Sequence, residues 1–472
     1  MPFSEFRDEH AARLQVAFDG PGWRSVRKLG LTDPGRGELL HPPETENVFA
    51  LPTAQLRAAN EEKVRQLIGS GERDETRLLD ALGTWPGSWP GDLPVRLSFL
   101  GLNVGYQCDM QPQCIYCNQQ ATEQSFDAAG LRRVIDDACA QDDKGPYIYI
   151  TGGEPMLLGE DLYGATGLIA TAARNGGACN LNTNALRLTP EVAVALVRAG
   201  LGRVHISLDT HLPRVQDDIQ RGRGRWQRVI RGIHNLQIAK VALGTTHPVI
   251  HLNCVLTRLN APHFPEFLRF VLSMKPLPSG ERLAGDLDMH IIPVGGERNS
   301  AIRLSAAEYH SFFSETWDRA NAVWIEHLAT AGVEEAKRSA LHEAVPFMSP
   351  YHRVSHSDSL EAWSERAASG RPADLAFARR CYVAPTQGFV LPDGSQYWCG
   401  GHTVSRPTPA GNVRSAPIRE SIVRSIGHVA EFPGPDCRNC AGATLAINQI
   451  VEHQLRERVR EMVKECEGGD LA

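Results

Sequence analysis

No stretch of this chain approaches the ~18 consecutive apolar residues of a membrane-crossing helix. Its first residues, "MPFSEFRDEHAARLQVAF", are charged from the start, where a secretory signal would be apolar. Blocks of lysine and arginine are missing too, and the 472 residues carry a net charge of −6. That argues against a protein whose main business is gripping a phosphate backbone. Internal repeats and low-complexity tracts are also absent. Membranes and nucleic acids are therefore not expected partners, and a cytoplasmic location is expected, where thiols stay reduced. In that setting the 11 cysteines read as ligands, catalysts or small buried hydrophobes rather than disulfides. Seven of them fall into two clusters.

A chain of 472 residues, 42% hydrophobic and 22% charged, exceeds one simple core and predicts two or three domains. Residues 1–94 read as a mainly helical extension, closed by the Pro/Gly-rich joint "GTWPGSWPGDLP". From 95 to 294 short apolar runs alternate with amphipathic ones. The apolar runs are "VRLSFLGL" (95–102), "YIYIT" (147–151), "CNLNT" (179–183), "RVHISL" (203–208), "VIHLNCVL" (249–256) and "DMHIIPV" (288–294). Six strands separated by helices predict a parallel sheet, curled by right-handed crossovers into a barrel or a doubly wound sheet. Residues 295–380 read as a helical connecting segment with Ser305 as an N-cap. Residues 381–472 contain two short strands across a Pro-Asp-Gly turn and a final amphipathic helix, about 443–466.

In a parallel α/β barrel, chemistry collects on the loops that leave the C-terminal ends of the strands. After the first strand, Cys108, Cys114 and Cys117 follow C-x5-C-x2-C. Zinc normally takes four protein ligands in a structural site, and a disulfide leaves one of three thiols over. An iron–sulfur cube held by three cysteines keeps one iron open for something else. The later strand ends read "TGGEP" (151–155), "NTNA" (182–185), "SLDT" (207–210), "VLTRLN" (255–260) and "IIPVGG" (291–296), all polar or glycine-rich.

In these motifs residues 95–440 resemble the radical S-adenosylmethionine (SAM) superfamily. "CIYC", with Tyr116 just before the last cysteine, resembles the end of that family's cluster motif. "GGEP" resembles its SAM-amino-group motif, "TNA" stands where the family usually has Thr-Asn-Gly, and "HISLD" resembles its fourth strand. The resemblance implies a partial (βα)6 barrel of the TIM type with parallel strands. It also implies a [4Fe–4S] cluster on Cys108, Cys114 and Cys117, whose open iron chelates SAM. One electron would then cleave SAM to a 5′-deoxyadenosyl radical. Gly152, Gly153 and Glu154 would hold the SAM amino group, Asn184 and Ser207 would lie near its ribose or carboxylate, and Arg221 would reach the carboxylate. Most members have three residues in the first gap where this chain has five, so Cys108 is the ligand whose approach must change.

Cys381, Cys399, Cys437 and Cys440 form the second set, with "CRNC" at its end. It resembles the family's C-terminal auxiliary-cluster extension in the shorter twitch form, related to the longer SPASM form. That implies a small α+β domain with a second [4Fe–4S] cluster that takes up the electron of a substrate radical. A structural zinc site with four thiolates is the alternative.

One histidine stands on each of three strands: His205, His251 and His290. If they face the barrel interior they are candidate hydrogen-bonding or acid–base groups; otherwise they are satisfied core residues. Cys254 is a candidate hydrogen donor to a substrate radical, or else a small hydrophobe. The resemblance implies an enzyme that oxidatively modifies a peptide or protein, by crosslink, thioether or dehydrogenation, reduced by a partner such as flavodoxin or ferredoxin. Two alternatives stand beside it: a dehydrogenase or epimerase of a small natural-product intermediate such as an aminocyclitol or sugar, and a zinc-binding protein without catalysis.

Overall fold

The computed structural model describes residues 3–33, 35–43, 53–85, 87–88, 95–119, 122–140, 145–274, 287–295, 299–330, 347–348, 359–370, 380–434, 437 and 442–468. Cys440 lies outside these residues, as does the side chain of His290. Parallel strands stand at the six apolar runs: β1 (Phe99–Asn103), β2 (Tyr147–Thr151), β3 (Ala178–Thr183), β4 (Arg203–Ser207), β5 (Val249–Leu256) and β6 (Leu287–Pro293). They pair in chain order. Helices such as Ala128–Cys139 and Pro190–Arg198 connect them, started by Asp127 and Thr189, whose side chains accept from backbone N–H groups of the first turn. Ser305 caps its helix with a full capping box to Glu308.

The sheet is wider than the six apolar runs suggest. β7 (Phe347–Met348) joins β6 in parallel. β8 (Gln387–Val390) joins β1 in parallel, and β9 (Ser395–Tyr397) and β10 (Gly411–Asn412) follow antiparallel. The region from 381 onward therefore shares its sheet with the barrel instead of building one of its own. The helices Thr53–Gly69 and Glu75–Gly83 pack on the last helix, Gly442–Gly468. Leu78 and Leu82 are buried on these helices, as are Val451, Leu455 and Val459 on the last one. Arg456 pairs with Glu75 at 2.8 Å and Arg458 with Glu61 at 2.9 Å along the seam.

The two faces of the sheet differ in chemistry. Ile148, Ile150, Leu181, Val204, Ile206, Ile250 and Leu252 are all buried, and they align with one another across the strands. They face the helices: Ile148 approaches the same point beside Gly177 as the thiol of Cys139 on the first crossover helix. The alternate positions carry Tyr149, Asn180, Asn182, His205, Ser207, His251 and Asn253. This inner face is polar and aromatic.

Candidate active site

The three-cysteine loop leaves β1 and is held from four sides. The backbone N–H groups of Gly153 and Glu154 donate to the carbonyls of Gly105 and Gln107, each at 2.8 Å. Ile115 N donates to Ile219 O at 2.9 Å, and Asn299 Nδ2 to Tyr116 O at 3.3 Å. Arg406, near the C-terminal hairpin, donates to Tyr106 Oη at 3.2 Å. Such close approach needs glycine: a Cβ on Gly153 would lie 2.0 Å from Gln107 O, and Gly152 adopts φ 148°.

The two extra residues of the first cysteine gap are ordered by partners that the motif alone does not reveal. Asp109 accepts from Asn184 Nδ2 and from Arg187 Nε, both at 2.8 Å. Met110 is buried, with the Arg225 guanidinium 3.0 Å from its sulfur and 3.1 Å from Gln111 O. Arg225, like Arg187 and Arg406, reaches this loop. Arg221 sits exposed at a left-handed φ of 53°. Met110 N and Asn184 Nδ2 lie 3.4 and 3.9 Å from Cys108 Sγ.

Every described cysteine is a free thiol. Burial, with neighbouring carboxylates and the other thiols, pushes Cys108 up to about 11 and Cys114 up to about 12. Neutral thiols are favoured there unless a cation replaces the protons, which suits soft iron ligands. Among the described residues no three His, Cys, Asp or Glu side chains come close enough to share one metal ion. What the described residues offer a soft metal is a donor set, three thiols on one anchored loop.

Glu154 is 3% exposed, and its carboxylate accepts from Met156 N at 3.0 Å, Thr183 Oγ1 at 2.7 Å and Asn184 N at 2.7 Å. These bonds weld the glycine turn to the end of β3. Burial still pushes the carboxyl up to about 7. Asn184 is committed as well, through its amide to Asp109 and through its oxygen to Leu186 N. Ser207 ends β4 on the inner face, in register with Asn253.

Asp209 escapes a reading by motif role, although it closes "HISLD". It accepts from Tyr116 Oη at 3.2 Å, Gln216 Nε2 at 3.2 Å and Val255 N at 2.8 Å, so it joins the three-cysteine loop to β4 and β5. Burial outweighs these bonds and pushes its carboxyl up to about 7. The folded state thus binds this proton more tightly than the unfolded chain does. Its contribution favours folding at acid pH and is lost as pH rises through about 7. Between about pH 5.5 and about pH 8 this amounts to about 2 kcal/mol. In urea melts of the metal-free protein, Asp209→Asn is expected to lose that slope relative to wild type. Equal slopes would mean that Asp209 is ionised throughout.

On the inner face His205 stacks on His251 with ring centroids 4.2 Å apart, and Tyr149 meets His205 edge-on at 6.0 Å. Arg203 approaches His251 Nδ1 at 3.5 Å. His290 pairs in register with Asn253 on the neighbouring strand. Cys254 is not among this group. It is 1% exposed on the opposite, helix-facing side, and its thiol points at Asp209 O, 3.5 Å away. A side chain there cannot donate hydrogen into the barrel, because successive strand residues face opposite ways.

Among the C-terminal cysteines, Cys399 is pushed up to about 12, chiefly by burial and then by the Cys381 thiol. His402, 1% exposed and overlooked by the cysteine pattern, has Nε2 3.6 Å from Cys437 Sγ.

Residues 102–271 match the profile of the Radical SAM superfamily. The chain is 25% identical over 291 residues to the AdoMet-dependent heme synthase of Nitratidesulfovibrio vulgaris, covering 61% of this chain and 68% of that protein. It is 35% identical over 167 residues to the GTP 3′,8-cyclase of Peptoclostridium acidaminophilum, covering 34% and 47%. It is 28% identical over 179 residues to mycofactocin maturase MftC of Mycobacterium tuberculosis, covering 37% and 41%. The matches thus span less than half of the latter two proteins. Among solved structures, Streptococcus suis SuiB bound to S-adenosylmethionine aligns with a TM-score of 0.48 and 15% identity, over 75% of this chain and 72% of that one. Native anSMEcpe with bound AdoMet aligns with a TM-score of 0.49 and 13% identity, over 78% and 99%.

Proposed function

From the Radical SAM domain that residues 102–271 form in this chain, we propose an enzyme that cleaves SAM reductively and oxidatively modifies a peptide or protein. Cys108, Cys114 and Cys117 would hold a [4Fe–4S] cluster and Gly152, Gly153 and Glu154 the SAM amino group. When bound, the cluster and SAM supply one-electron cleavage of the sulfonium to a hydrogen-abstracting 5′-deoxyadenosyl radical. The protein's own part is placement and exclusion of water. Gly153, Glu154 and Thr183 lock the cluster loop to the ends of β2 and β3, and Tyr116 with Asp209 locks it to β4 and β5. Cys381, Cys399, Cys437 and Cys440 would hold a second cluster as electron acceptor, with His402 beside Cys437 as a hydrogen-bonding neighbour. A flavodoxin or ferredoxin would supply the first electron.

The observation that carries this reading is the docking of the three-cysteine loop onto the Gly152–Gly153 turn, which brings the soft ligands and the glycine turn together. The peptide substrate is supported by a relative named as a maturase. A second reading, a small polar natural-product intermediate, is favoured by the polar inner face of the barrel.

Anaerobic purification with iron, sulfide and zinc analysis tests the proposal. About eight irons per chain are expected for two [4Fe–4S] clusters, with about four lost in Cys114→Ala/Cys117→Ala. Dithionite and SAM should then yield 5′-deoxyadenosine. A colourless zinc protein after reconstitution would overturn it.

A further inference from the structure

Parallel barrels ordinarily fill themselves with layers of Val, Ile and Leu. This one does not. A polar rung crosses the cluster end of its inner face. Asn182 Nδ2 donates to Thr151 Oγ1 at 3.4 Å, and Asn253 Nδ2 donates to Asn182 Oδ1 at 3.2 Å. At its ends the carboxamide oxygens of Asn103 and Asn253 accept no hydrogen bond among the described residues, and neither does that of Asn180 lower in the barrel. Asn180 is 1% exposed and Asn253 8%.

Buried polar atoms of a folded chain are nearly always paired, so three unpaired ones on the inner face of one sheet call for a partner. All three are acceptors. They select O–H and N–H groups, while an aliphatic side chain would leave them unpaired and a carboxylate would repel them. On the β8–β1–β2 side of the barrel the wall is aromatic. Phe99 stacks on Phe389 at 5.1 Å, Tyr149 lies 6.2 Å from Phe99, and Gly101 gives Phe389 the room a Cβ would take. The rung lies directly below the reacting loops: Thr151 precedes Gly152, and Asn103 begins the turn whose Gly105 carbonyl binds Gly153.

We propose that the barrel interior binds a ring compound bearing several hydroxyl or amino groups, a cyclitol, sugar or nucleoside, through the carboxamide oxygens of Asn103, Asn180 and Asn253. The aromatic side serves as the stacking wall. This deepens the second reading above and rests on it.

The test uses reconstituted enzyme with SAM, first shown to yield 5′-deoxyadenosine with dithionite. Binding of myo-inositol, glucosamine and guanosine is measured by saturation-transfer NMR and titration calorimetry, with an uncharged Ala-Val-Leu peptide as comparison. At least one ring compound is expected to bind, and the peptide is not. Its Kd should rise roughly tenfold in Asn180→Leu and in Asn253→Leu, the loss of one hydrogen bond each. Iron content checks that each variant is folded. Failure of all three ring compounds to bind wild-type enzyme that cleaves SAM overturns the inference, whatever the variants do. Undiminished binding in folded variants also overturns it. Failure to cleave SAM at all counts instead against the radical reading.

Discussion

Gly153→Ala is expected to lose the iron that we propose for the Cys108–Cys114–Cys117 loop and with it all measurable 5′-deoxyadenosine. The added methyl would lie 2.0 Å from Gln107 O, 2.5 Å from Gln107 C and 2.6 Å from Tyr106 O. All three are backbone atoms, so no side-chain rotation relieves the contact. The loop must instead lift off, breaking the bonds from Gly153 N and Glu154 N that are 2.8 Å long in the native fold. Cys108 immediately follows Gln107, so the displacement reaches the first of the three cysteines directly. Gly35→Ala is the control, because among the described residues nothing lies within 4 Å of its added methyl. Iron analysis of both variants under identical reconstitution decides the matter. Wild-type iron in Gly153→Ala would show that the two loops are not docked as described.

Glu154→Leu is expected to be the most destabilising single change at the site. It strands three buried donors at once: Met156 N, the Thr183 hydroxyl and Asn184 N. At ~1–3 kcal/mol for each unpaired buried group, the loss is about 5 kcal/mol. That is comparable with the whole stability of a typical domain, ~5–15 kcal/mol. Glu154→Gln keeps one oxygen acceptor and turns its amide toward the remaining donors, so a loss about half as large is expected. The urea midpoint of the metal-free proteins measures both. Wild-type midpoints in both variants would mean that the three bonds carry no stability.

Both predictions depend on residues that stand in short motifs, and those motifs are legible from the chain alone. "GGEP" and "CIYC" need neighbours only a few positions away, because tight turns are local in sequence. The six strands are legible for the same reason. A parallel strand covered by helices on one side is a short apolar run, and its period needs no partner to be seen. Even the inward parity of His205 with Ser207 follows from alternation along one strand.

Other features are contacts between residues far apart in the chain, and composition or spacing cannot announce them. In "RGRGRW" the arginines look equivalent. Only the fold shows that Arg225 turns inward to Gln111 while Arg221 stays at the surface. Asp109 looks like part of an insertion until Asn184 and Arg187 are brought to it from the end of β3. Cys254 looks as available as its neighbour Asn253 until the register puts it on the helix side.

The chain by itself determined the soft-ligand loop, the glycine turn and the parallel strand–helix alternation, because each is written within a few residues or one helical or strand period. Tertiary structure alone decided that β8 joins β1, that Asp209 receives Tyr116, and that the carboxamide oxygens of Asn103, Asn180 and Asn253 share the inner face of one sheet. Those relations depend on strand order, register and shear, which arise only when segments tens to hundreds of residues apart bury their apolar faces together.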